Sequence, residues 1–193
     1  IGTGTGVLSL MMAQQFMNAT ITALEINTQA FQQAKSNFDN SRYAMQIKAV
    51  HTDVVAYSND KAFDFIICNP PYFQQSLHTA HTATNTAKHA TQLTFAQLAE
   101  SVSKLLSPQG TFSFIIPYAS VGALQSCLLD NGLCINSQIN IRHNASKPIL
   151  NAIINGGFGS NMAISTSIFT IKNLDDKYTP EALDILTPFY FSL

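Results

Sequence analysis

The chain opens Ile1-Gly2-Thr3-Gly4-Thr5-Gly6-Val7-Leu8, and the reading of this stretch decides the fold. Alternate glycines let the main chain turn tightly and let a ligand approach it closely. Behind them Val7, Leu8, Leu10, Met11, Met12 and Phe16 recur at helical spacing. A glycine loop that feeds a helix is expected to follow a strand, and here only Ile1 stands before it. The chain is therefore expected to be a single domain, residues 1–193, that lacks its amino-terminal segment and its first, central strand, and to be poorly stable and inactive alone. No basic segment precedes an apolar one, so no signal peptide is expected.

Outward from the loop, apolar runs alternate with helical spacings. Ile21-Thr22-Ala23-Leu24-Glu25 reads as a short strand ending in an acid, and Ala30, Ala34 and Phe38 mark a second helix. Met45 to Val50 reads as a strand closed by His51-Thr52-Asp53. Phe63 to Cys68 is a strongly apolar strand halted by Asn69-Pro70-Pro71-Tyr72. The polar run from Gln74 to Thr91 reads as a long loop. A helix is expected over Leu93 to Leu106, a turn at Pro108-Gln109-Gly110, a strand over Thr111 to Ile116, and a helix over Val121 to Leu129 stopped by Asn131-Gly132. Cys134 to Ile141 and Ala163 to Ile171 read as strands, with a Gly/Asn-rich connection around Asn155-Gly156-Gly157 between them. Lacking a long intervening helix, they are expected to pair as an antiparallel hairpin at the sheet edge. Pro180 to Leu186 is the last helix candidate, ahead of the apolar Phe189-Tyr190-Phe191.

Alternating strands and helices predict an α/β fold, a mostly parallel sheet with helices on both faces. Ligands of such sheets sit beyond the carboxyl ends of the strands. That rule collects the glycine loop, Glu25, Asp53 and Asn69 on one rim.

Composition narrows the classes. Hydrophobic residues make up 46%, enough for a core and too many for a disordered tail. Charged residues are only 11%, and the net charge of −1 advertises no strong basic field. No apolar run reaches the roughly 18 residues of a membrane span, so no membrane association is expected. Three widely spaced cysteines do not make a disulfide framework and read as reduced thiols of a cytoplasmic protein.

The spacing Gly2-x-Gly4-x-Gly6, with Glu25 ending the next strand, resembles a nucleoside site in which the acid accepts both ribose hydroxyls. It is not the Gly-x-Gly-x-x-Gly of dinucleotide folds, which points to S-adenosylmethionine, a cofactor with no phosphates to cradle. The plainer alternative is a glycine-rich turn beside a solvated acid. Asp53 is a candidate acceptor for the adenine amine of that cofactor; its alternative is to cap a helix starting at Val54.

Asn69-Pro70-Pro71-Tyr72 carries the chemistry. Consecutive prolines fix φ and remove two backbone donors. The Asn69 side-chain oxygen and the Pro70 carbonyl can then converge on one NH₂ group as two acceptors, while Tyr72 stacks on a planar base or amide. Such an amine is a poor nucleophile, because its lone pair is delocalised. Two acceptors on its protons orient it and stabilise the positive charge that develops on nitrogen. A strand-terminating turn that happens to contain Asn and Tyr is the alternative.

Ile66-Ile67-Cys68-Asn69-Pro70-Pro71-Tyr72 resembles the motif of the amino-methyltransferases, which act on N6 of adenine, N4 of cytosine or the amide of glutamine, and Gly2 to Gly6 resembles their cofactor loop. Within them the chain is most similar to the bacterial tRNA1(Val) adenine-N6 methyltransferases, which modify the adenine just 3′ of the anticodon, position 37. Asn69 to Gln75 and the tail Lys177-Tyr178-Thr179-Pro180-Glu181-Ala182 with Phe189-Tyr190 carry this closer likeness. The resemblance implies a Rossmann-like class I methyltransferase sheet with S-adenosylmethionine as cofactor and tRNA as partner. It implies Gly2, Gly4, Gly6, Glu25, Asp53 and Asn69 at the cofactor, and Asn69, Pro70 and Tyr72 on the target amine. A protein-glutamine methyltransferase and an rRNA guanine-N2 methyltransferase present the same motif and stay open, as does a catalytically silent RNA- or partner-binding module.

His51, His78, His81, His89 and His143 invite a metal reading, but neither a cysteine pair nor a carboxylate cluster accompanies them, and no metal is expected. Lys88 and His89 read as surface residues, Cys68 as a small buried hydrophobe, and Phe31, Phe38 and Met11-Met12 as core. A monomer is expected.

Overall fold

The computed structural model describes residues 1–70, 93–159 and 163–190. Helix α1 (Val7–Gln15) leads to β1 (Ile21–Glu25), α2 (Thr28–Asp39), β2 (Ile47–His51), a 3-10 turn (Val54–Ala56) and β3 (Phe63–Cys68). Then come α3 (Phe95–Leu105), β4 (Leu106–Pro117), a 3-10 turn (Tyr118–Ser120), α4 (Val121–Asp130), β5 (Leu133–Arg142), β6 (Ile149–Phe158), β7 (Ser165–Thr170) and α5 (Pro180–Leu186).

Local chemistry sets the helix starts. The Asn27 side chain accepts from the Ala30 amide at 2.9 Å to open α2. Thr94 and Gln97 form a capping box ahead of α3. Thr179 accepts from Ala182 at 3.2 Å ahead of Pro180, whose fixed φ suits a first helical turn.

Two sheets result. β1 and β2 pair in parallel, and β3-β4-β6-β5-β7 form a second sheet in that order. Two core clusters form, and Leu24 of β1 and Val54 belong to the larger one. Ala13, Ala23, Ala34, Phe38 and Ile47 fill the first. The second is built on Phe112, Phe114 and Ile116 of β4, with Leu98 and Val102 of α3, Leu124 and Leu128 of α4, and Ile154 of β6. A cleft of about 890 Å³ opens between the facing edges of β1 and β3, walled by Ile21–Leu24 and Phe63–Ile67.

The antiparallel hairpin is present but built from other strands than expected. β5 and β7 are parallel neighbours, Ser137 opposite Ser165 through Arg142 opposite Thr170. The antiparallel partner of β5 is β6, and β6 also runs antiparallel to β4. β6 comes from the stretch read as a connection. Its glycines are there for close approach: a Cβ on Gly156 would strike the Cys134 carbonyl and the Phe112 ring, and one on Gly157 would lie 2.7 Å from the Gly110 carbonyl oxygen. The expected turn at Pro108-Gln109-Gly110 also lies inside a strand. β4 takes five residues, Leu106 to Thr111, to advance where β3 advances from Phe63 to Phe65, and this irregularity absorbs the amide that Pro108 lacks.

Candidate active site

Two hydrogen bonds position the glycine loop. The Ile1 nitrogen donates to the Ile67 carbonyl of β3 at 2.9 Å. The Thr3 amide donates to the Leu24 carbonyl of β1 at 2.9 Å. Ile1–Thr3 is thus a strap between the ends of the two sheets, and it sets the loop between Glu25 and Asn69, each the next or next-but-one residue beyond a bonded carbonyl.

Gly2, Gly4 and Gly6 all have left-handed φ, of 64°, 57° and 94°. The need is sharpest at Gly6, where a Cβ would collide with the Phe38 ring, its Cζ at 2.7 Å. Gly6, the cap of α1, lies against Phe38 and Ala34 of α2. The Gly6 amide closes the loop on the Thr3 carbonyl at 2.9 Å, and Asn37 of α2 donates to the Thr5 carbonyl at 2.8 Å.

Glu25 is 8% exposed. Its Oε2 accepts from the Gly4 amide at 2.8 Å and its Oε1 from the Asn27 amide at 2.8 Å. Burial of a carboxylate is tolerated because both oxygens are bonded. Each oxygen keeps a further lone pair, the pair of acceptors a ribose diol requires. Asp53 serves as the cap of the 3-10 turn: its Oδ1 accepts from Val55 at 2.9 Å. The capping alternative therefore holds for one oxygen, while Oδ2 has no hydrogen-bond partner among the described residues.

Asn69 stands exposed at the end of β3, and among the described residues its carboxamide makes no hydrogen bond; Pro70 is buried. Tyr72 lies outside the described residues, as do Lys88 and three of the histidines, His78, His81 and His89. Burial pushes the Cys68 thiol up to about 11, so it stays protonated and packs as a hydrophobe. His51 stacks on Phe31 with ring centroids 5.0 Å apart and bonds the Ile26 carbonyl at 3.0 Å, a structural use of the ring. Among the described residues, no group of three His, Cys, Asp or Glu side chains could hold a metal ion, and no helix is long and apolar enough to cross a membrane.

Two residues escaped the sequence reading. Ile26 follows Glu25 and Val55 follows Asp53 by two, and these hydrophobes are 51% and 48% exposed on the rim. Apolar side chains left open beside two acids could grip a planar purine. The available signal was an apolar residue after a strand-ending acid.

The far end of the rim carries cations. Arg142 ends β5, with His143 and Lys147 in the turn behind it, and Lys172 and Lys177 follow β7. Asp176 Oδ1 meets His143 at 3.1 Å and its Oδ2 meets Lys172 at 3.0 Å.

The geometry agrees with comparisons to known proteins. Residues 1–112 match the methyltransferase small domain family. The chain is 32% identical over its whole length to the tRNA1(Val) (adenine(37)-N6)-methyltransferase of Pseudoalteromonas translucida, covering 82% of that protein. It is 33% identical to the enzyme of the same name from Bacteroides fragilis, again covering 82% of it. The Vibrio cholerae enzyme is 38% identical over 77% of this chain and 62% of its own length. Among solved structures, a predicted O-methyltransferase from Agrobacterium tumefaciens superposes with a TM-score of 0.76 over 97% of this chain and 86% of that one, at 17% identity. A glycopeptide N-methyltransferase complexed with S-adenosyl-L-methionine gives 0.59 over 82% of this chain and 80% of that one, at 13% identity. These structures share the Rossmann-like class I sheet. On the identity and coverage of its relatives, the chain belongs to the tRNA1(Val) (adenine(37)-N6)-methyltransferase family.

Proposed function

We propose that this protein transfers a methyl group from S-adenosylmethionine to the N6 amine of adenine 37 in tRNA, acting as a cytoplasmic monomer without a metal ion. The observation that carries the reading is the Ile1–Thr3 strap. Its hydrogen bonds to the Leu24 and Ile67 carbonyls support a reading in which the glycine loop and the buried Glu25 face the open carboxamide of Asn69.

Gly2, Gly4 and Gly6 would admit the cofactor's backbone-hugging portion, Glu25 its ribose hydroxyls, and Asp53 through Oδ2 its adenine amine. The cofactor supplies an electrophilic methyl group on a positively charged sulfur. Asn69 Oδ1 and the Pro70 carbonyl accept the two N–H bonds of the target amine, which aims the nitrogen lone pair along the path of transfer. As the new N–C bond forms, the sulfur–methyl bond would break with its electron pair returning to sulfur, so that neutral S-adenosylhomocysteine leaves; positive charge gathers on nitrogen, and both oxygen dipoles face it. The methylated nitrogen then returns to neutrality by losing one proton to water. Tyr72 would stack on the base.

The charge distribution favours RNA over a protein amide. Arg142, Lys147, Lys172 and Lys177 outnumber Asp175 and Asp176 in the turns at the far end of the rim, although the whole chain carries −1. A segregated cationic edge is what phosphate contacts require.

The test uses the full-length gene product, labelled methyl donor and total tRNA from a host lacking the gene, read by nucleoside mass spectrometry. N6-methyladenosine is expected. Label on guanine N2, on a glutamine side chain, or nowhere would overturn the assignment.

A further inference from the structure

Resting on the tRNA reading, we infer that Tyr118 is a stacking platform for the nucleotide next to the target adenine. The residue stands on the acceptor side of Asn69. β3 and β4 are parallel neighbours with Cys68 opposite Phe114. β4 runs on to Pro117, paired there with Asn151 of β6. Continuing that register sets Asn69 level with Ile115, so Tyr118 lies roughly 10 Å farther out along the strand direction, one strand over. The cofactor residues lie on the opposite side of β3. A base whose amine is held at Asn69 therefore has its neighbour, not itself, over Tyr118.

The side chain is dressed for that use. Tyr118 is 43% exposed at the first residue of the 3-10 turn, and its main-chain carbonyl accepts from the Val121 amide. Among the described residues its hydroxyl makes no hydrogen bond and its ring neither stacks nor receives a cation. Pro117 before it and the turn into α4 behind it hold the backbone, so the point from which the ring projects is set before binding. Beyond it along the rim come Leu150, 60% exposed at the start of β6, and then Arg142 and Lys147. An aromatic face followed by cations is the pattern of a single-stranded nucleic-acid track, base stacking first and phosphates after.

Tyr118→Ala, Tyr118→Leu and Tyr118→Phe in the full-length gene product test this. Anticodon stem-loops carry 2-aminopurine on either side of the target adenine in separate RNAs. Wild type and Tyr118→Phe should quench one of the two probes; Tyr118→Ala and Tyr118→Leu should not. The Ala and Leu variants should raise KM for RNA about 5- to 150-fold, the worth of one stacked base, with S-adenosylhomocysteine affinity unchanged by calorimetry. Retained quenching and wild-type KM in both would overturn the role of Tyr118 while leaving the methylation assignment standing. Wild-type protein that methylates no adenine would instead remove the reading on which the inference rests.

Discussion

The Gly4 amide lies 2.8 Å from Oε2 of Glu25, twenty-one residues away in sequence, so the acid of β1 shapes the loop beside it as well as facing the rim. Removing the carboxylate should therefore act on the cofactor and on the loop together. Glu25→Ala is expected to weaken S-adenosylhomocysteine binding by about 1.5–3 kcal/mol, the range for hydrogen bonds to a charged group. Glu25→Gln keeps one acceptor and should lose less. Calorimetry on the three proteins decides it, and an unchanged dissociation constant in the alanine variant would remove Glu25 from the site.

Asn69 offers a contrasting substitution. Its carboxamide makes no hydrogen bond among the described residues and is exposed, so Asn69→Ala should leave the melting temperature and cofactor affinity as they are. Turnover should fall by roughly 10²-fold or more, as for loss of a contact that strengthens in the transition state. Near-normal turnover would refute the two-acceptor mechanism.

Gly6→Ala is a stability experiment. The new methyl group would meet the Phe38 ring, in a backbone with φ 94°. Overpacking of about 1–3 kcal/mol adds to a left-handed penalty of about 1–2 kcal/mol. A clear drop in the urea midpoint is expected. Phe38→Leu in the same chain should restore only the part due to the ring, since the strained φ remains; a fully additive double variant would show that the ring is not the obstacle.

The turn after β7 predicts a pH effect. Asp176 has its carboxyl held below the ordinary value of 3.8, first by the hydrogen bond from Lys172 and next by that from His143. A carboxyl lowered on folding lends stability above its unfolded value, and this is lost as pH falls through the folded one. The contribution should thus be intact at neutral pH and fade only below about pH 3.8. Carbon-detected titration should show a midpoint under that value. Lys172→Ala should raise it more than His143→Ala, and the reverse order would contradict the assignment of causes.

Much of the fold was legible because apolar runs were bounded by strong punctuation. β1 ends at Glu25, β3 ends at the Asn69-Pro70 corner and α5 starts at Pro180, each where the sequence signals predict. β6 was not legible, since Asn155, Gly156 and Gly157 read as a connection. Their purpose appears only when Phe112, Cys134 and Gly110 crowd the same space, a tertiary demand with no local signature. With β6 unread, β5 and β7 are expected to pair antiparallel; they do pair, but in parallel, because β6 lies between β4 and β5 and takes the antiparallel place. In the site, acids and amides at strand ends could be found by chemistry. Ile26 and Val55, exposed beside those acids, carry no such signal, because an apolar residue reads the same in sequence whether it is buried or left open.

The strap of Ile1–Thr3 spans the end of the cleft between β1 and β3, joining two leaves that also share the core contacts of Leu24 and Val54. One leaf bears the groups suited to a methyl donor, the other the corner suited to an acceptor. Anchored at the Leu24 carbonyl on one side and the Ile67 carbonyl on the other, the strap sets the spacing of the two from a position that need touch neither reacting atom.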